Sequence, residues 1–427
     1  MQNNTLTLET KKCIALDLGR AYLDYSLIDK LCIKTFPDEA LNAGQAFKTA
    51  MSDDLYDPGE QNRGFSNHVG WFEPIKETIT PDVDAINFTQ KAAAEIHAKK
   101  GALLFAGSGP AYLAAKAGVD FLAQDGQLEV IFAGDLSAAS FRKTIEKLKG
   151  SKFSICAVED KEMPHGALIA LNNIKGAKNF YAFSNNSESA FCALAKKNGA
   201  KVFIHNQEFT GPSLTLSPGV LLPLAAIGAD IKAVIEGATP EEMMDMESFT
   251  PAGCAGAGAT RELMMPLSTL NIKNYSAARR ILRQKDFSTE LLVYTNPVLA
   301  GFMDWFKYAS MCIMKETKIH VDAINLTNNS ETIENYAQTN KGLFETFIHT
   351  GKLSRHDIED LKTPADLNST GDWLITESMQ RQRKTGVPIM RIEIPEVSPY
   401  FYGQMISLFS RTLAIMDIWK QINLSEF

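Results

Sequence analysis

The sequence predicts an α/β protein: two parallel-sheet units flanked by helices, with a long helix closing the chain. Three observations predict it. Short apolar runs alternate with segments of helical composition between residues 101 and 235; a second, weaker series of the same kind begins at "TELLVY"; and a long helical segment runs from about Pro399. Short apolar runs suit strands buried on both faces, and their alternation with helices implies a parallel sheet covered on both sides. With 427 residues, 45% of them hydrophobic, the chain is long enough for two or three domains and a large core.

Residues 1–95 carry few strand signals and read as helical and irregular cladding. The first sheet unit, 96–240, has strand-like runs at "ALLFAG", "LEVIFAG", "FSICAV", "NFYAFS" and "KVFIH", separated by helical segments such as "PAYLAAKAGVDFLA" and "LSAASFRKTIEKLK". Within it, "LLPLAAIGADI" reads as core helix, because its apolar residues offer a ligand no polar partner. The second unit, 241–427, has strand-like runs at "TELLVY", "KIHVDAIN", "FETFIH" and "VPIMRIEI", a helix from about Pro297 to Lys315, and the C-terminal helix.

Composition narrows the function. A net charge of −7 and a pI near 5.6 argue against nucleic-acid binding, since phosphate backbones are held by clustered Lys and Arg and no such block occurs. The six cysteines (13, 32, 156, 192, 254 and 312) are far apart and form no CxxC, so neither a zinc cage nor a disulfide framework is expected. "MQNNTLTLETKK" lacks a cationic stretch followed by an apolar run, and no apolar stretch is long enough to span a bilayer. The expectation is a cytoplasmic protein with no metal, no cofactor and neither nucleic acid nor membrane as partner.

Ligands of open parallel sheets bind outside the carboxyl ends of the strands, where loops expose N–H groups at helix N-termini. Two loops matter here. "GSGPA" brings Gly107, Ser108, Gly109 and Ala111 to the end of the first strand, and "EDKEMPHG" follows the third. The second loop is acidic: Glu159, Asp160 and Glu162 stand against Lys161, with His165 close behind. His165 could titrate or bind a metal with Glu159 or Glu162, or simply be a polar loop residue. The acids could equally cap the following helix, where negative charge meets the positive end of the helix dipole.

Several longer stretches resemble the glucose-6-phosphate isomerase family, which has the sugar-isomerase (SIS) fold. They are "GWFEPI" (70–75), "GSGPAYLA" (107–114), "GPSLTLSPGVLLPLAAIGADIKAVIEGA" (211–238), "LVYTNPVLAGFMDWFKYASMCIMKE" (292–316) and "SPYFYGQMISLFSRTLAIMDIWKQIN" (398–423). The resemblance implies two SIS-type subdomains, a cleft between them that takes a small molecule, and a homodimer. Light scattering on the 47.0 kDa chain would check the dimer.

The same resemblance implies that the chemistry has changed. Aldose–ketose isomerisation needs a general base, a cation to stabilise the enediolate, and groups for ring opening and phosphate binding. The family's glutamate base falls on Cys312, its arginine on Pro212, its histidine on Ser330 and the serine of its glycine-rich loop on Ala111. Its hydroxyl-rich phosphate loop falls on Glu159 to Gly166, and its last lysine lies beyond the terminal "INLSEF". Glu316, one helical turn past Cys312, is about 6 Å too far along to replace the base. Cys312 itself is expected to be a buried packing residue. Three functions follow: a catalytically degenerate protein that binds a ligand or partner, an active glucose-6-phosphate isomerase, or a divergent enzyme acting on a neutral or cationic substrate.

Overall fold

The computed structural model describes residues 13–21, 23, 83–124, 126–133, 137–159, 165–205, 211–239, 267–312, 314–327, 333, 335–336, 339–351 and 367–419. After β1 (Ala15–Arg20) and α1 (Val83–Lys99), the first unit runs β2 (Ala102–Ala106), α2 (Pro110–Leu122), β3 (Val130–Ala133), α3 (Ala138–Leu148), β4 (Phe153–Val158), α4 (His165–Asn173), β5 (Phe180–Ser184), α5 (Ala190–Lys197) and β6 (Lys201–Ile204). A 3-10 turn (Gly211–Leu216), α6 (Pro218–Ala226) and α7 (Ile231–Ala238) follow. The second unit comprises α8 (Leu267–Gln284), β7 (Thr289–Tyr294), α9 (Ala300–Cys312), α10 (Met314–Thr317), β8 (His320–Asn325), β9 (Leu343–Thr350), α11 (Leu367–Arg383), β10 (Ile389–Ile394) and α12 (Pro399–Trp419).

The predicted fold class holds. The first sheet, in the order β3-β2-β4-β5-β6, is entirely parallel. The second, β1-β10-β9-β7-β8, is parallel except at β1, which lies antiparallel on the edge beside β10. That strand comes from the region read as cladding. Its sequence, ALDLGR, is short and half polar, as an edge strand can afford to be, so it gives little signal in isolation.

Strand periodicity divides the side chains between layers. In the fully buried β4, Phe153, Ile155 and Ala157 join one apolar cluster while Cys156 and Val158 join another. The second of these clusters is shared: it takes in α2, α6, α9 and α12 and reaches both sheets. Two smaller clusters cover the outer faces, one under α4 and α5, the other under α11.

Close helix crossings join the two units. Gly237 on α7 and Gly403 on α12 face one another so tightly that a Cβ on either would run into the main-chain carbonyl of Tyr400 or Val234. Glycine permits that approach because it has no Cβ. "LLPLAAIGADI" is core, as predicted: α6 is buried along most of its length and ends where Gly228 takes a φ of 89°.

Under the shared face of the second sheet lies a buried ion pair. Arg279 Nε is 2.8 Å from Glu290 Oε2, with side chains 1% and 0% exposed. The other carboxylate oxygen accepts from Tyr275 Oη and Thr346 Oγ1, each at 2.6 Å. The guanidinium also lies over the rings of Tyr275 and Phe306. On the opposite face, Glu345 is fully buried among apolar side chains, and neither carboxyl oxygen has a hydrogen-bond partner among the described residues. Burial pushes that carboxyl up to about 8. Among the described residues no helix is long and apolar enough to cross a membrane.

Candidate ligand cleft

At the carboxyl end of β2 the chain turns through Gly107, Ser108 and Gly109 into α2, with Pro110 in the first turn, where its missing N–H costs nothing. Gly109 has a φ of 59°, a conformation that favours glycine. Gly107 packs against the neighbouring strand: a Cβ there would lie 3.0 Å from the Phe105 ring and 3.6 Å from the Val158 carbonyl that ends β4. Ser108 and Ala111 are both buried. The glycine turn therefore lies beside the end of β4, one residue before Glu159.

Glu159 is half-buried just beyond β4. Its N–H donates to the Phe183 carbonyl (2.9 Å), extending the β4–β5 ladder in which Val158 pairs with Phe183. This register sets Glu159 beside the end of β5. Its Oε2 accepts from Ser184 Oγ at 2.5 Å and from Ser189 Oγ at 2.7 Å. Ser189 is also the N-cap of α5, accepting from the Cys192 N–H at 3.1 Å, and the Ser184 hydroxyl accepts from the Asn186 N–H at 2.9 Å.

The alternative that the acids cap the helix after their own loop is corrected for Glu159. The β-ladder carries it past β4 to the end of β5, where its carboxylate meets the N-cap serine of α5. Sequence reasoning missed Ser184 and Ser189. The signal was "SNNSES", a hydroxyl- and amide-rich loop after the fourth strand of the unit.

Asp160, Lys161 and Glu162 lie outside the described residues, as do Ser330 and "GWFEPI". His165 is the first residue of α4, and its side chain lies outside the description. Among the described residues no group of three or more His, Cys, Asp and Glu could hold a metal ion.

Pro212 lies in the 3-10 turn, which packs against α2 and α9. Cys312 ends α9, and there the expectation of burial is corrected: it is exposed, as are Met311 and Met314. The buried face of α9 runs through Phe302, Trp305, Phe306 and Ala309, and the core gives out in the last turn. Glu316 belongs to the short α10. The structure thus brings Gly107, Ser108, Gly109, Ala111 and Glu159 to one sheet edge and places Cys312 at the end of a helix from the other unit.

No protein-family model matches the chain. Its fold is similar to that of solved sugar-isomerase-class structures. A hypothetical protein from Thermus thermophilus superposes with a TM-score of 0.66 at 14% identity, covering 96% of this chain and 95% of that one. A glucose-6-phosphate isomerase from Chlamydia trachomatis gives 0.60 at 13%, covering 96% and 84%. Tagatose-6-phosphate ketose/aldose isomerase from Escherichia coli gives 0.52 at 9%, covering 86% and 95%. These place the chain in the sugar-isomerase fold class.

Sequence comparison narrows the relationship to glucose-6-phosphate isomerases. The enzyme of Listeria monocytogenes serotype 4b is 26% identical over 394 residues, covering 83% of this chain and 82% of that one. That of Limosilactobacillus reuteri is 27% identical over 433 residues, covering 92% and 90%. The chain is therefore glucose-6-phosphate isomerase-like along most of its length, at low identity.

Proposed function

We propose that the chain is a catalytically degenerate glucose-6-phosphate isomerase-like protein that binds a ligand or partner and does not interconvert sugar phosphates. The observation that carries this reading is Glu159. In the loop where the resemblance puts a hydroxyl-rich phosphate cradle, a carboxylate already draws in the hydroxyls of Ser184 and Ser189.

A phosphate arriving there would meet like charge. Two unit charges about 4 Å apart repel by about 4 kcal/mol at an effective dielectric of about 20. One charged hydrogen bond contributes only about 1.5–3 kcal/mol in return. Repulsion therefore outweighs any single contact the loop could offer a phosphate.

The other roles support the same reading. A thiol at the position of Cys312 is no substitute for a carboxylate base, and proline at 212 has no cation to steady an enediolate. Loss of even one such group typically costs about 100-fold or more in rate.

The test is a coupled assay of the purified full chain with glucose 6-phosphate and fructose 6-phosphate, in both directions. The expected result is no conversion above background. Ordinary turnover that disappears on substitution within the cleft would instead make the chain an active isomerase, as its relatives are named.

A further inference from the structure

The two sheets share one wiring. In the first, α2 leaves β2 toward the shared core while α4 leaves the neighbouring β4 on the outer face. In the second, α9 leaves β7 toward the shared core and α11 leaves the neighbouring β9 on the outer face. Adjacent strands whose connections depart to opposite faces form a switch point, and in open α/β sheets ligands bind in the crevice outside it. Each sheet therefore has such a point. Glu159 stands at the first.

At the second, the side chains that meet are uncharged. Asn296, just past β7, donates from Nδ2 to Thr350 Oγ1 at the end of β9 (2.9 Å), and its Oδ1 accepts from the Val298 N–H (3.2 Å). On the far side of β7, Thr327 Oγ1 donates to the Thr295 carbonyl (3.3 Å), and its N–H donates to Asn325 Oδ1 (3.0 Å) at the end of β8. These bonds hold the cluster in place without exhausting it. Among the described residues, Asn296 keeps a second Nδ2 proton, Thr350 keeps its hydroxyl proton, and Thr295 adds a half-buried hydroxyl.

We infer that the crevice between the carboxyl ends of β7 and β9 is a second ligand site, built by Thr295, Asn296 and Thr350 for a neutral polyhydroxylated small molecule. Hydroxyl groups both donate and accept, which matches an amide and two hydroxyls. A phosphate would find no cation in this set. The inference goes beyond the proposed function and is separable from it, because isomerase turnover at the first switch point would leave it untouched.

The experiment is saturation-transfer NMR on the full chain with glucose and sorbitol as probes and glucose 6-phosphate as the charged comparison. Affinity is read by titration, and circular dichroism checks the fold. Both neutral probes are expected to receive saturation. Thr350→Val, nearly the same shape without the hydroxyl, should weaken them about 5- to 10-fold, the loss of one net hydrogen bond. Asn296→Ala, at a half-buried strand end, provides a second reading should Thr350→Val fail to fold. The inference is overturned if neither neutral probe receives saturation, if both folded variants bind as the parent does, or if glucose 6-phosphate binds in a way that either variant abolishes.

Discussion

At the carboxyl edge of the first sheet, the Glu159 carboxylate gathers two serine hydroxyls. At the corresponding edge of the second, Asn296 and Thr350 hold one another without charge. The strands leading to these edges follow the same plan, with buried apolar runs, parallel neighbours and first crossover helices that both enter the shared core. The difference lies in the last residues of the strands and the first residues beyond them. Packing dictates the strand interiors, while the loop residues are free to change chemistry without changing the fold. On the proposed reading, a sugar-isomerase scaffold persists where its phosphate chemistry has gone.

The two sheets also differ in how the described residues bury charge, and breaking that difference gives a large expected effect at any one pH. Glu290→Ala should strand the Arg279 guanidinium beneath the second sheet. Removing one partner of a buried pair typically costs about 3–5 kcal/mol, whereas replacing both with apolar residues of similar volume is often neutral. Chemical denaturation of Glu290→Ala beside Arg279→Met/Glu290→Leu should therefore find the single variant much the weaker. Equal losses would mean that an unpaired Arg279 guanidinium carries no extra penalty beneath the second sheet.

A pH-dependent effect of similar size sharpens the comparison on the outer face of the same sheet. Glu345, buried among apolar neighbours, keeps its proton to about pH 8, above the ordinary carboxylate value of 4.5. Between those values the unfolded chain has released the proton while the folded chain retains it, so stability falls as pH rises. The contribution is fully present below about pH 4.5 and lost above about 8. At roughly 1.4 kcal/mol per pKa unit, the full decline across that range is on the order of 5 kcal/mol. Urea denaturation across this range should follow that slope in the parent and lose this component in Glu345→Gln. An identical slope in both would mean that Glu345 ionises normally in the folded state.

Much of the fold was legible in the sequence because parallel strands buried on both faces read as unbroken apolar runs. "FSICAV" and "TELLVY" match β4 and β7 residue for residue. What escaped was amphipathic or marginal. The strand β1 is half polar, α8 carries the buried Arg279 in a largely polar sequence, and the mean hydropathy of α11 is low, so none stands out without its tertiary partners.

The site was legible only in part. The glycine turn and the acidic loop were found because their composition is unusual. The role of Glu159 depends on the Val158–Phe183 register, which brings two serines from another loop to its carboxylate, and no local pattern announces that. Cys312 was misjudged because helical spacing does not reveal where the core beneath a helix ends.

The most direct test of the contrast between the two edges is the melting temperature of the unmodified chain with millimolar glucose 6-phosphate, fructose 6-phosphate or inorganic phosphate. Ligand bound only by the folded state at about 100 times its dissociation constant would add about 2.7 kcal/mol, a shift easily seen. With the Glu159 carboxylate holding Ser184 and Ser189, the account predicts no shift for any of the three. Clear stabilisation by a sugar phosphate that grows with its concentration would contradict it, for the first edge would then still be a working phosphate site.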